Sequence, residues 1–314
     1  MYDPSRSASM PIDRRSFLAL AAGLAATGAL PALPAGAATV AVPMRRSIPG
    51  TTEALPVVGM GTADTFNVSS EAAERKPLAE VMAMLLRTEG SVIDTAPSYG
   101  NAEAVTGDLL RAANARQRVF LATKVSAQSG APAQAQWGHS LADLRVDKVD
   151  LLQVHNLIDW QGNLRFLREL KEQGRIRYLG ITHYRDDAHE ALERIVRNER
   201  VDFVQVNYSV AERNAERVLL PLCQERGVAV LVNRPFQDGR LFRVVKDRPL
   251  PQWAGDIDCG SWGQLFLKFI VSHPAVTAAI PATSKPRNMA DNLGAALGRM
   301  PDPGQRERIA ALLA

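Results

Sequence analysis

The sequence predicts an α/β protein built as a single-domain (β/α)8 TIM barrel, with an N-terminal β-hairpin cap and a C-terminal helix. From about residue 57, short apolar, β-rich runs alternate with amphipathic stretches, and the alternation recurs eight times without a compositional break. Runs such as 149–154 are almost continuously apolar, which is typical of parallel strands that helices cover. The chain of 314 residues also accommodates the roughly 250 residues that such barrels usually need.

Two polar–apolar arms flank Pro49-Gly50, which indicates a hairpin that closes the bottom of the barrel. The predicted barrel strands are Val57–Thr62, Ser91–Ala96, Val119–Val125, Val149–Asn156, Ile176–Tyr184, Phe203–Ser209, Val228–Phe236 and Val276–Thr283. The predicted helices are Glu71–Thr88, Ala102–Ala113, Ala133–Leu144, Asn163–Gln173, Asp186–Arg197, Asn214–Arg226, Gln264–Ser272, Arg287–Gly298 and a terminal Gln305–Leu313.

A doubly wound open sheet is the alternative fold. Such a sheet usually places a G-x-G-x-x-G turn after its first strand. This chain instead has Gly59-Met60-Gly61-Thr62 there. The closed barrel is therefore preferred.

Residues 1–38 are predicted to be a signal peptide of the twin-arginine type. Arg14 and Arg15 precede an apolar stretch from Phe17 to Leu33, and residues 35–37 resemble an Ala-x-Ala cleavage site. We expect cleavage near Ala37/Ala38 and export of residues 39–314 to the periplasm by the twin-arginine machinery, which carries folded proteins. An uncleaved membrane anchor is the alternative, but the segment is short and rich in Gly and Ala, so no stable insertion is expected after cleavage.

The composition is that of an ordinary soluble protein, with 46% hydrophobic and 22% charged residues. The formal net charge is +4, and the basic residues are scattered, so nucleic-acid binding is not expected. Cys223 and Cys259 fit no metal-ligand spacing. Two independent thiols and no metal site are predicted.

Chemistry in a barrel of this class belongs at the carboxyl ends of the strands. Asp94 lies near the end of the second predicted strand with Tyr99 shortly after it, Lys124 lies near the end of the third, and His155 near the end of the fourth. Each residue alone has a structural explanation, but a buried lysine and histidine need compensating partners. Asp94 can pair with Lys124, whose positive charge would lower the pKa of the Tyr99 phenol. Together these groups predict a proton donor for a carbonyl oxygen that His155 orients.

A second candidate site lies at the eighth predicted strand. The run 280–292 places Thr283, Ser284, Lys285 and Arg287 at or before a helix N-terminus, which attracts phosphate. A capped helix with surface cations is the simpler explanation of this run taken alone.

From about Met44 onward, the chain resembles the aldo-keto reductases, a family of NADPH-preferring (β/α)8 barrels. The resemblance rests on several motifs in the family's order: Gly59-Met60-Gly61-Thr62, Asp94 with Tyr99-Gly100, Lys124, His155 after VDLLQV, GRIRYLGIT at 174–182, Gln205 with Asn207-Tyr208, and IPATSKP at 280–286. It implies reversible reduction of an aldehyde or ketone, with NADPH as cofactor and NAD as a further possibility.

The resemblance also implies roles for individual residues. Tyr99 would be the general acid or base, Lys124 and Asp94 would tune it, and His155 would orient the small-molecule carbonyl substrate. The implied cofactor contacts are Gly61 and Thr62 at the first strand, Gln205 toward the nicotinamide carboxamide, Ser284, Lys285 and Arg287 toward the 2′-phosphate with Thr283 beside them, and Asn292 toward adenine.

Two positions depart from the family pattern. Thr182-His183 stands where the family commonly has Ser-Asn, and Asn233-Arg234 stands where it usually has an aromatic residue followed by serine. The carboxamide contact is therefore weakened, the nicotinamide lacks its usual stacking residue, and Arg234 is a candidate for the pyrophosphate. Asn288 replaces an arginine that many relatives carry, which weakens the preference for NADP over NAD.

The long connection 237–263 is predicted to be functional, with Trp253 and Trp262 either lining the substrate pocket or fastening the loop to the barrel.

The substitutions at 182–183 and 233–234 leave open a second function, a sensor or partner subunit that binds a nicotinamide cofactor and turns over little. A sugar-phosphate isomerase is a third alternative, because a barrel alone does not define a function.

Overall fold

A computed structural model of the protein describes residues 42–313. The predicted signal peptide, residues 1–38, lies outside this range. Within it, β1 (Arg45–Ser47) and β2 (Ala54–Pro56) form the predicted antiparallel hairpin. Gly50 lies in its turn at φ +73°, a conformation that glycine adopts without steric cost.

Eight parallel strands form the barrel, as the sequence predicts. Their bounds are β3 (Met60–Gly61), β4 (Ser91–Asp94), β5 (Val119–Val125), β6 (Val149–His155), β7 (Ile176–Thr182), β8 (Phe203–Asn207), β9 (Ala229–Asn233) and β10 (Val276–Ala279). Each strand pairs with the next along the chain, from β3 to β10. Parallel bridges from Val58 to Ala279 and from Gly61 to Ala282 join the first strand to the last and close the barrel.

Helices alternate with the strands. Their bounds are α1 (Ala72–Leu85), α2 (Ala102–Ala112), α3 (Ala131–Leu144), α4 (Trp160–Glu172), α5 (His189–Asn198), α6 (Leu219–Arg226), α7 (Arg240–Val244), α8 (Trp262–Val271), α9 (Pro286–Gly294) and α10 (Pro303–Ala310). None of the helices within 42–313 is long and apolar enough to cross a membrane.

Several predicted elements have different ends in the structure. The predicted strand 276–283 ends at Ala279, and the predicted strand 228–236 ends at Asn233. The polar residues that follow continue as loops, which is where a barrel carries its functional groups. The connection 237–263 is not structureless, because it contains α7 and the 3-10 helix Gln252–Ile257.

Apolar side chains fill the barrel interior in layers. The lower layers contain Phe120, Leu151 and Phe203, and the hairpin residues Ile48 and Leu55 pack beneath them. The hairpin therefore caps the bottom of the barrel, as predicted. A larger cluster packs the outer faces of the strands against the helices. With its lower end plugged, the barrel is open to ligands at its carboxyl end.

Candidate active site

A cleft of about 930 Å³ lies at the carboxyl ends of the strands. Asp94 at the end of β4, Tyr99 in the loop after it and His155 at the end of β6 all line this cleft. Lys124, in β5, is 1% exposed and lies next to Tyr99 and Asp94. The structure thus brings together the four side chains that the sequence singles out.

The Lys124 ammonium is held by neighbours on two sides. Its Nζ donates to Asp94 Oδ2 at 2.7 Å and to the Thr95 carbonyl oxygen at 2.8 Å. It also lies 4.9 Å from the centroid of the Tyr99 ring. Burial disfavours the charge of Lys124, but Asp94 and Tyr99 favour it, and the pKa of Lys124 is raised above its ordinary value.

The pKa of Tyr99 differs in direction from the sequence expectation. Burial raises the pKa of the Tyr99 phenol, and the Lys124 charge, which lowers it, does not outweigh burial. Asp94 and Asp64 add to the increase. The expected net decrease was therefore wrong, because a pattern of residues along the chain does not show how far a side chain is desolvated. Tyr99 is a protonated phenol at neutral pH.

His155 packs against Tyr99, with the ring centroids 5.9 Å apart and the planes nearly perpendicular. Its Nδ1 lies 3.3 Å from the Ser98 hydroxyl, so the other ring nitrogen, Nε2, is available to a ligand. Burial and the Lys124 charge lower the pKa of His155 to about 3. The imidazole is therefore neutral at physiological pH. The sequence does not predict this role for Ser98, because a serine in a polar turn carries no distinguishing signal.

Two amide side chains reach the other oxygen of Asp94. Gln205 Nε2 donates to Asp94 Oδ1 at 2.7 Å, and Gln153 Nε2 donates to the same atom at 3.2 Å. Gln205 Oε1 accepts a hydrogen bond from the Thr182 hydroxyl at 3.1 Å. Gln153 was not among the predicted site residues. Its spacing of two from Leu151 and from His155 places the three residues on one face of the strand and could have identified it.

Gly61 and Thr62 lie where the first strand meets the last. A Cβ at Gly61 would lie 2.8 Å from the Ile280 carbonyl oxygen, so no larger residue fits this approach. The Thr62 hydroxyl donates to the Asp94 carbonyl oxygen at 3.1 Å. Both residues line the cleft.

The run after β10 divides into two groups. Thr283 and Asn292 line the cleft, whereas Ser284, Lys285 and Arg287 are not among the residues that form its wall. The side chains on this part of the wall also include Asn288 and Asp291. The predicted phosphate ligands are therefore neighbours in the sequence of residues that line the cleft, but they do not line it themselves.

At the ends of β7 and β9, Thr182, Asn233 and Arg234 line the cleft. Asn233 Nδ2 donates to the His183 carbonyl oxygen at 3.3 Å, while Asn233 Oδ1 is buried without a partner in the described structure. The Arg234 guanidinium pairs with Asp238 at 2.7 Å. A phosphate bound by Arg234 would have to share it with this carboxylate.

The two tryptophans of the connection 237–263 lie away from the cleft wall. Trp262 Nε1 donates to the Arg248 carbonyl oxygen at 3.1 Å, and Arg308 lies 4.5 Å from the Trp253 ring centroid. Neither tryptophan is among the residues that line the cleft. The apolar wall is supplied instead by Phe236 and Phe242, and the tryptophans fasten the loop.

Within residues 42–313, no three His, Cys, Asp or Glu side chains are grouped as metal ligands. Cys223 and Cys259 are both buried and unpaired in this part of the chain.

Known proteins resemble this chain in sequence and in fold. The sequence profile of the aldo/keto reductase family matches residues 57–304. The methylglyoxal reductase YeaE of Escherichia coli is 29% identical over 235 residues, which cover 71% of this chain and 80% of that protein. An NADH-specific methylglyoxal reductase of the same organism is 30% identical, over 52% of this chain and 58% of that protein.

Solved structures share the fold. An aldo/keto reductase from Klebsiella pneumoniae in complex with NADP and acetate superposes with a TM-score of 0.67 at 25% identity, covering 82% of this chain and 92% of that one. An aldo-keto reductase from Bacillus halodurans, in its holo form, superposes with a TM-score of 0.70 at 23% identity, covering 86% and 96%. The profile match, spanning most of the barrel, shows that this chain belongs to the aldo/keto reductase family of oxidoreductases.

Proposed function

We propose that the protein reversibly reduces an aldehyde or ketone with NADPH, and that Tyr99 is the general acid in reduction and the general base in oxidation. The observation that carries the proposal is the grouping of Tyr99, Lys124 and His155 at one end of one cleft. Tyr99 is the proton source, because it is protonated at neutral pH and its conjugate phenolate would be stabilised by Lys124.

Each side chain has a defined task in reduction. Neutral His155 donates a hydrogen bond through Nε2 to the carbonyl oxygen, since Nδ1 faces Ser98. NADPH, when bound in the cleft, would supply the hydride that reduces the carbonyl carbon. The Tyr99 hydroxyl transfers its proton to the same oxygen, which completes the alcohol, and Lys124 stabilises the phenolate that remains. Asp94 keeps the ammonium in place.

The cleft fits a nicotinamide cofactor. Its volume lies within the range of about 300–1,000 Å³ that ligand sites occupy. Asn233, Thr182 and Gln205 line the cleft with side chains of the polar types that bind a carboxamide. Gly61 lines the cleft where the first strand closely approaches the Ile280 carbonyl oxygen. We assign Thr62 and Arg234, which line the cleft, as further candidates to hold the cofactor. His183 remains a candidate although it does not line the cleft, because its carbonyl oxygen accepts from the Asn233 side chain, which does.

The adenosine end of the cofactor would lie at the start of α9. Thr283 and Asn292 are the candidates on the cleft wall, and Ser284, Lys285 and Arg287 are the candidates for the 2′-phosphate. Because those three residues do not line the cleft, we propose that NADH also binds. The names of the relatives support both cofactors, since one solved structure holds NADP and one relative is called NADH-specific.

The expected assay result is oxidation of NADPH in the presence of a small aldehyde. Methylglyoxal is the first compound to test, because two relatives are named for its reduction. Consumption of NADPH should be followed at 340 nm across a panel of aldehydes and ketones, and then repeated with NADH. Tight cofactor binding without turnover on the whole panel would favour the sensor or partner subunit instead.

We further propose that the chain is exported by the twin-arginine route with its cofactor already bound. The support is the leader 13–38, whose paired arginines precede an apolar stretch. The expected result is a mature chain beginning near Ala38, recovered from a periplasmic fraction with NADP(H) that mass spectrometry identifies. Recovery of the uncleaved chain from the cytoplasm alone would contradict export.

A further inference from the structure

Gln153 lies in the barrel interior at the level of the acid–base group. It is 0% exposed in β6, and in the strand register it pairs with Lys124 on one side and with Gly180 on the other. Its Nε2 donates to Asp94 Oδ1 at 3.2 Å. Its Oε1 is buried and has no hydrogen-bond partner among the described residues.

A buried amide whose oxygen has no hydrogen-bond partner destabilises the fold, so packing alone does not explain a glutamine at this position. A buried polar atom without a partner loses its hydration, and an apolar side chain of the same size would avoid that loss. A Cβ at Gly180 would lie 2.9 Å from the Phe203 carbonyl oxygen and 3.2 Å from Gln153 Cγ, so the glycine lets both neighbours pack closely. The amide of Gln153 makes one hydrogen bond, to Asp94, and this bond is what distinguishes it from an apolar side chain of the same length.

That hydrogen bond affects how Asp94 interacts with Lys124. Asp94 Oδ1 accepts from Gln153 and Gln205, while Oδ2 accepts from Lys124. The two amides fix the plane of the carboxylate and offset part of its negative charge. Without one of them, more of that charge would act on Lys124 and on the Tyr99 phenol.

From this geometry we propose that Gln153 is a positioning residue, which adjusts the proton affinity of Tyr99 through Asp94 and Lys124 without contacting the substrate. The inference rests on the proposed role of Tyr99 for its effect on catalysis. Its effect on the phenol itself does not depend on that role.

The other charged or titratable groups around the phenol come from separate elements. Asp64 follows β3, His155 ends β6, and Glu103 lies on α2 near Lys124. None of these three side chains is hydrogen-bonded to Gln153. A substitution at Gln153 therefore tests the path through Asp94.

The test is Gln153→Met, which keeps the length of the side chain and removes the amide donor. Removing it increases the negative potential at the phenol, so the Tyr99 titration should move to higher pH by about half a unit or more. The ultraviolet difference spectrum of tyrosinate reports this titration in the cofactor-free protein. Subtracting the same variant with Tyr99→Phe isolates the one phenol. The alkaline limb of kcat/KM for reduction should move by the same amount, because reduction needs the protonated phenol.

Leu151→Met is the matched control, because Leu151 shares the strand and face of Gln153 but lies one layer lower, in the apolar interior. Leu151→Met should move neither the Tyr99 titration seen in the ultraviolet spectrum nor the alkaline limb of kcat/KM. A folded Gln153→Met protein with an unmoved Tyr99 titration would overturn the inference. Gln153→Leu is the second variant, and failure of both to fold would assign Gln153 a purely structural role and overturn it as well.

The outcome separates this inference from the proposed function. A shifted phenol titration without any carbonyl reduction would support the positioning role and reject the catalytic one. Carbonyl reduction by the wild-type protein, together with an unmoved Tyr99 titration in Gln153→Met, would support the proposed function and reject the positioning role of Gln153.

Discussion

Tyr99→Phe is expected to lower kcat for carbonyl reduction by about 10²–10⁴-fold, the range that a general acid contributes. The substitution removes the hydroxyl that gives its proton to the carbonyl oxygen and keeps the ring that packs against His155. Cofactor affinity should change little, since the proposed cofactor contacts are made by other residues. Rates should be measured under saturating cofactor, and cofactor Kd by quenching of protein fluorescence.

Tyr178→Phe provides the control for this substitution. Tyr178 packs against Phe120 and Phe203 at the bottom of the barrel, and its hydroxyl donates to Glu53 at 2.8 Å. Loss of this hydroxyl should leave kcat unchanged. Turnover by Tyr99→Phe at the wild-type rate would remove Tyr99 from the mechanism.

The pH dependence of carbonyl reduction is set by the Tyr99 phenol. Burial raises the pKa of Tyr99, so the phenol remains protonated through neutral pH. Reduction should therefore hold its rate through neutral pH and decline only as pH rises through that raised value. His155, with a pKa of about 3, should add no acidic limb between pH 5 and 8, a range well above that value.

Lys124→Met is expected to destabilise the fold by about 3–5 kcal/mol, because it leaves the buried Asp94 carboxylate without its ion-pair partner. The two side chains are 0% and 4% exposed, and their charged atoms are 2.7 Å apart. Turnover should also be lost, since no cation then stabilises the phenolate. Urea unfolding followed by circular dichroism measures the change in the free energy of unfolding.

The double variant Asp94→Asn with Lys124→Met separates stability from catalysis. Removing both charges should restore a large part of the lost stability, because neither charge is then buried alone. It should not restore turnover. A Lys124→Met protein as stable as the wild type would show that the pair does not have the buried geometry described above.

The fold could be predicted because its signals lie in short stretches of sequence. These signals are the spacing of apolar residues, the turn residues and the polar residues at the ends of the strands. The runs that become β5 and β6 show their burial in the sequence, and the hairpin is marked by Pro49-Gly50. The convergence of Asp94, Lys124 and His155 follows from the topology, since parallel strands end at the same edge of the barrel.

The contacts that depend on side-chain direction were not predictable. Ser98 beside His155 and Gln153 beside Asp94 arise from the three-dimensional arrangement of loops and neighbouring strands. The pairing of Arg234 with Asp238 also depends on a turn in which residues 234, 237 and 238 all have positive φ. Such backbone conformations are rare for residues other than glycine and have no clear signature in one sequence.

Hydride transfer from the cofactor to the carbonyl carbon, with Tyr99 as the proton donor, is tested most directly by following the transferred atoms. Purified protein should be incubated with methylglyoxal or another reactive aldehyde and with NADPH that carries deuterium at nicotinamide C4, separately on each face. Mass spectrometry of the alcohol should find one deuterium on the former carbonyl carbon, from one face of the cofactor only, and the Tyr99→Phe protein should form almost no alcohol. Alcohol without label, or labelled alcohol formed equally well by the Tyr99→Phe protein, would contradict this account.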